Sequence, residues 1–323
     1  MIENYKKAYQ LARKKYKTED ISFPMIVLSL YGLLTKYSNN QDLVEKVFLE
    51  TNIWIGEESV EEILEEKDIY YYEEEDNPLE NSYVPGVSST SKYLKRDKNN
   101  DIQLIEEKPF IVCGDIDKNP KEIILNTFIH EFSHLIKAQI NYHLIEEDEF
   151  EKSHYLRSGL HFYKYSYNKK DNIFEEGDYF TVLDEAINVL ETTETMEFIK
   201  ELDGIIPNEE ISYYFDSLDK EKLIEDYGYL DIVEVLKPLW KIESFKSLIE
   251  ENIIEGNLNN IVDQFQSLGT TYTFIDLSNA LDIINDYQEF EREKDQDYYE
   301  SINVIGEIIK DLSKEKRGCP KIK

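Results

Sequence analysis

The chain has 323 residues, 41% of them hydrophobic and 13% aromatic, enough apolar material for a sizeable core and too much for a globally disordered protein. Its 68 acidic residues against 36 lysines and arginines give a formal charge of −32, a field that repels nucleic acid and anionic membrane surfaces and sets both aside as partners. Cys113 and Cys319, with no Cys-x-x-Cys spacing, make no disulfide framework and fit a reduced, cytoplasmic setting.

Residues 1–66 read as helical, with "ENYKKAYQLARKKY", "DLVEKVFLE" and "SVEEILEE" carrying apolar residues at helical spacing. No secretory signal is visible at the N-terminus. The longest apolar run, "FPMIVLSLYGLL", is too short for the roughly 20 residues that span a bilayer and reads as a core helix. Residues 57–80 hold twelve acidic residues and one lysine, Lys67, a solvated helix end and loop whose spacing matches no EF-hand. It closes an expected N-terminal helical subdomain over residues 1–80.

The next region, 81–204, is expected to be a metal-binding core. "IQLIEEKPFIVCGDI", residues 102–116, reads as strand, with Cys113 a buried thiol. Asn119 as cap, Pro120 in the first turn and Glu122 three residues after the cap predict a helix from Pro120 to Ile140. Residues 155–174 alternate in part around the polar turn "NKKDN" and predict a strand or a hairpin. "YFTVLDEAINVLETTETMEFIKEL" predicts a second long helix. Residues 205–323 form an expected C-terminal helical subdomain, with breaks at Pro207, Gly228, Pro238, Gly256 and Gly269. The fold class is therefore α+β and predominantly helical.

The chemistry concentrates in "NTFIHEFSHLIKA", where His130 and His134 stand four apart and Glu131 follows the first. At about 100° per residue, His134 lies about 40° from His130, and Glu131 about 100°. Ile124, Leu125, Phe128, Ile129, Phe132, Leu135 and Ile136 fill the opposite arc, so the apolar side packs and the imidazoles are presented together. Two imidazoles at i and i+4 can turn a nitrogen each to one zinc ion, while Glu131, rotated by one residue, is placed to take a proton from the attacking water. HExxH occurs rarely by chance in a chain with five histidines.

A catalytic zinc site wants a third protein ligand and leaves one position open. The metzincin spacing fails, because Lys137 and Ile140 stand where it requires glycine and histidine. His143, His154 and His161 are free-standing candidates. So is Glu185 in "VLDEAINVLETTE", off the packed face made by Leu183, Ala186, Ile187 and Leu190.

"HEFSH", then "RSGL", then "LDEAINVLET" resembles the gluzincin metallopeptidases, in particular bacterial proteins that pair HExxH with an "LNEGxTExLT"-type helix. The likeness covers about residues 105–200 and more loosely the "YGYLDIVEVLKPL" tail. The sequence departs from that second pattern at Asp184, Ala186, Asn188 and Val189. The resemblance implies a zincin-like core, Zn2+ as cofactor, a peptide or protein substrate, His130, His134 and Glu185 as metal ligands, and Glu131 as general base. In some gluzincins a tyrosine about seven residues before the third ligand assists the transition state. Here that position is Asp178, and Tyr179, one residue off, is the first candidate, with Tyr163, Tyr165, Tyr167 and Arg157 behind it. Asp178 or Asp184 could orient a ligand histidine. The alternative is a non-catalytic zinc-containing interaction protein, against which Glu131 argues, since a structural site needs no base there.

Overall fold

The computed structural model describes residues 1–67, 86–90, 92–96, 102–138, 141–146, 151–168, 173–222, 230–255, 257–290 and 292–314. The acidic stretch beyond Lys67, the "NKKDN" turn beyond Asn168, Gly228, Gly256 and Cys319 lie outside them. The fold is α+β and predominantly helical, with helices α1 to α12 and three small sheets among the described residues. No described helix is long and apolar enough to cross a membrane.

Contacts divide the chain into two units, each discontinuous in sequence. The first comprises Met1–Lys92, Glu106–Ile136 and Glu191–Tyr227, and the second Tyr93–Ile105, Lys137–Leu190 and Gly228–Lys323. The expected boundaries at 80 and 204 follow the sequence, whereas these units recur along it.

The first unit opens with α1 (Ile2–Ala12) and α2 (Phe23–Lys36). In α2 every residue from Met25 to Leu34 is buried, so "MIVLSLYGLL" is a core helix. After α3 (Gln41–Glu50) the helical expectation for residues 1–66 fails: "NIWI" is strand β1 (Asn52–Ile55) before α4 (Val60–Glu66) resumes. β-branched and aromatic residues favour extended backbone here. Its partner is far away in sequence, because β1 pairs in parallel with β5 (Phe110–Cys113). β2 (Gly86–Ser89) pairs antiparallel on the other side of β5, giving the order β1-β5-β2.

Helix α5 (Lys121–Lys137) carries the HExxH motif. It is shorter than expected at both ends. The Asn119 amide donates to the Asp115 carbonyl at 3.0 Å, while the Pro120 carbonyl accepts the first helical bonds from Ile123 and Ile124. At the far end β6 (Asn141–Glu146) follows and pairs with β7 (Glu151–Ser158), a non-local bond set that the helical pattern does not encode. The seven apolar residues of the predicted arc are all buried, each worth about 1.5–3 kcal/mol of transfer free energy. That sum sets the roll of the helix and leaves His130 and His134 outward.

β2 lies hard against α5. A Cβ on Gly86 would stand 2.4 Å from Thr127 Cγ2, and Ser88, two residues on, reaches Glu131, four residues on from Thr127. Two strand residues and four helical residues both advance about 6 Å, so strand and helix keep step. Gly86→Ala should therefore cost about 1–3 kcal/mol of stability, and Thr127→Ser, which deletes the obstructing methyl, should recover part of it in denaturant titrations.

The second unit holds β3 (Lys92–Arg96) from Tyr93 onward, most of its partner β4 (Ile102–Glu106), and a meander of β6, β7, β8 (His161–Asn168) and β9 (Ile173–Tyr179). The predicted hairpin is the β8–β9 pair. Helix α6 (Thr181–Lys200) follows, its N-terminal half counted here and its C-terminal half in the first unit. Leu183, Ala186, Ile187 and Leu190 enter a core with α8 (Leu230–Trp240), α9 (Glu243–Glu255), α10 (Leu258–Phe265), α11 (Phe274–Glu289) and α12 (Gln296–Lys314). Between α6 and α8 lies α7 (Glu209–Asp216), in the first unit. Pro207 and Gly269 fall at breaks, as expected, but Pro238 sits inside α8. It lies in the last turn, where the missing N–H removes one bond and the helix ends two residues later.

Asp282 on α11 is a half-buried carboxyl raised to about 6 by desolvation, with repulsion from Asp286 and Asp178 adding to it. The unfolded chain loses this proton near 3.8, so unfolding is favoured as pH rises from about 4 through 6, and the penalty stays above that. Asp282→Asn should raise stability at pH 8 by about 1–2 kcal/mol, discounted for partial solvent access, and by almost nothing at pH 4, as read by urea titration at the two pH values.

Candidate metal centre

His130 and His134 lie one turn apart on α5, with ring centroids 4.8 Å apart and planes at 79°. Their Nε2 atoms are 3.2 Å apart. Two nitrogens each about 2.0–2.1 Å from one tetrahedral ion stand about 3.3 Å from each other. The imidazoles are thus already spaced for a shared metal. One ligand atom each from His130, His134 and Glu185 lies within 4.8 Å of the others, and all three residues are half-buried. Two neutral imidazole nitrogens and a carboxylate oxygen are a donor set that zinc accepts. Three protein donors leave a tetrahedral site one open position.

Glu185 is held by its surroundings in the second unit. Gly159 turns β7 into β8 in the left-handed region, at φ 63°, and its carbonyl accepts from Arg157 Nη1 at 2.6 Å. The next amide, Leu160 N–H, donates to Asp184 Oδ1 at 2.9 Å. A Cβ at Gly159 would lie 2.9 Å from the same oxygen. The "RSGL" turn is thereby pinned to the first turn of α6, one residue before Glu185. Further along, Lys137 Nζ donates to Asn188 Oδ1 at 2.7 Å, both side chains being buried. These residues follow His134 and Glu185 by three positions each, so the next turn of α5 is tied to the next turn of α6. Asn188, a departure from the resembled pattern, thus has a local partner.

Glu131 stands outside the three-residue group. Ser88 Oγ on β2 donates to its Oε2 at 2.7 Å. Cys113 is a free, buried thiol, pushed up from its ordinary pKa by desolvation and by the nearby Glu131 charge.

The remaining candidates are spread over the two faces of the meander. Register puts Tyr163 opposite Asp178 and Phe162 opposite Tyr179. His161, Tyr163 and Asp178 therefore share one face, and Phe162 and Tyr179 the other. Tyr179 is 49% exposed, with its ring over Gly177 and 5.9 Å from that of Phe162. The single-residue offset from position 178 sends its side chain to the opposite side of the sheet from His161. His143 is exposed and lines a cavity of about 180 Å3 with Tyr155, Arg157, Phe162 and the start of α10. His154 is buried, its Nδ1 2.9 Å from the Tyr142 hydroxyl.

His161, considered in the sequence only as a third ligand, has a carboxylate partner that the sequence did not suggest. Its Nε2 lies 2.6 Å from Asp178 Oδ1, and Asp178 also accepts from Thr181 Oγ1 at 2.6 Å. Burial works against the imidazolium, but Asp178, with Asp184 and Glu185 beyond it, outweighs this and raises His161 above the ordinary histidine pKa. Strand alternation across the "HFYKYSY" and "FEEGDY" segments could have paired residues 161 and 178, had the hairpin register been known. Comparison with family models, with curated proteins and with solved structures finds no match to this chain.

Proposed function

We propose that the protein is a zinc-dependent metallopeptidase of gluzincin type, with a zincin-like core, acting in the cytoplasm. The observation that carries this reading is the 3.2 Å approach of the His130 and His134 nitrogens with the Glu185 carboxylate in the same cluster. Zinc held by these three residues would supply a Lewis acid that polarises a peptide carbonyl and makes water acidic near neutrality. Glu131 takes the proton of the attacking water and returns it to the nitrogen of the leaving amine. Ser88, donating to one carboxylate oxygen, holds Glu131 in one orientation. His161, kept protonated by Asp178, is the donor this reading assigns to the developing oxyanion, in place of Tyr179.

β2 ends the order β1-β5-β2 among the described residues and carries the residue that touches Glu131. An extended peptide pairing with that edge would lie alongside the base, a common mode of peptide recognition. Among the described residues the group holds three ligands, which favours turnover over a structural role, because structural zinc sites are closed by a fourth.

The purified protein should contain about one zinc per chain by elemental analysis and should cleave members of a mixed peptide library, with cleavage lost on chelation and restored by zinc. A protein that takes up no stoichiometric divalent metal, or a loaded one that cleaves nothing in a library sampling all residue types, would overturn the reading.

A further inference from the structure

The antiparallel register of β6 to β9 sorts this sheet into two unlike faces. On one, Phe162 packs against the helical core of the second unit. On the other lie Tyr142, His154, His161, Tyr163, Tyr165 and Asp178, and no described side chain of that face belongs to the same core. The rings form a continuous wall. The His161 and Tyr163 centroids are 5.9 Å apart and those of Tyr163 and Tyr165 5.0 Å, with the two hydroxyls 3.4 Å apart. Alongside, His154 is paired in register with Tyr165 and lies 6.0 Å from the Tyr142 ring. Tyr142, Tyr163 and Tyr165 are half-buried, so part of each remains open to solvent.

The wall begins at His161, one residue after Leu160, whose amide donates to Asp184 beside Glu185, and His161 is paired with Asp178. Tyrosine π-faces attract ammonium and guanidinium groups, and their hydroxyls can hydrogen-bond a peptide backbone. The charge of His161 at the start of the wall is offset by its Asp178 partner, and a chain charge of −32 adds attraction for cationic groups.

We infer that this tyrosine wall is the specificity surface of the centre and that it takes lysine and arginine side chains of an extended, basic peptide. The inference rests on the peptidase reading for what happens to the bound peptide, but binding can be measured without turnover.

The experiment is fluorescence anisotropy on the full chain as zinc-loaded Glu131→Gln, with a labelled Lys/Arg-rich decapeptide and its serine- and glutamate-substituted counterparts. The basic peptide should bind at least about tenfold more tightly than the serine peptide. Tyr163→Leu/Tyr165→Leu should weaken it by about tenfold with no change in net charge, while Tyr163→Phe/Tyr165→Phe, which keeps the ring faces, should stay within about twofold. Tyr155→Leu, on the opposite face, should bind as before. Equal affinity for basic and serine peptides overturns the inference. So does undiminished binding in the leucine variant, which would trace the attraction to bulk charge. A phenylalanine variant weakened by about tenfold relative to the wild-type surface also overturns it, and this arm stands if the leucine variant fails to fold. Zinc content, measured on the same samples, reports separately on the peptidase reading.

Discussion

Glu131→Gln should keep its zinc and lose hydrolysis by about 10²–10⁴-fold, the range that a positioned general base supplies. The two halves of this outcome come from different atoms. Zinc would be held by His130, His134 and Glu185, and Glu131 is not of that group, so replacing its carboxylate with an amide removes no donor. The amide keeps the length and an acceptor oxygen for the Ser88 hydroxyl, which donates to Glu131 at 2.7 Å. What disappears is the capacity to accept a proton from water. Single-turnover rates on a peptide cleaved by the wild type, with metal content determined on the same preparation, read both halves. A variant that retains wild-type rates would remove Glu131 from the reaction, and one that sheds the metal would make it part of the cage.

Glu185→Ala should weaken zinc binding by more than about 100-fold, beyond the 10–100-fold typical of losing an outer-shell partner, whereas His143→Ala should change it by less than about twofold. Glu185 lies within 4.8 Å of both ligand nitrogens, while His143 lines a cavity with Arg157 and Phe162. The two positions were rival third ligands in the sequence, and competition with a chromophoric chelator separates them directly. Equal losses for both, or a larger loss for His143, would sink the proposed ligand set. His161→Ala sharpens the comparison: as oxyanion donor it should depress turnover with little effect on zinc affinity.

Much of the centre was legible because its signals are local. The arc from Ile124 to Ile136 predicts a buried stripe and an outward pair of histidines, and those seven residues are buried. The packed face of α6 was legible for the same reason, and with it the outward placement of Glu185. The core character of "MIVLSLYGLL" and the β8–β9 hairpin also followed from composition and alternation. Illegible features each depend on a distant partner. β1 was hidden in a helical reading because its bonds go to Phe110–Cys113. Gly86 and Ser88 carry no motif, yet they set β2 against α5. Asn188 departs from the resembled pattern, and its partner Lys137 stands 51 residues earlier.

By itself, then, the sequence determined the helical segments and which side of each is apolar, because helical hydrogen bonds and the 3.6-residue repeat act within a few residues. Only the tertiary structure decided that Ser88 donates to Glu131 and that His161 shares a sheet face with Asp178 rather than with Tyr179. Those outcomes turn on strand register and on the approach of elements dozens of residues apart, where a shift of one residue reverses the side on which a group stands.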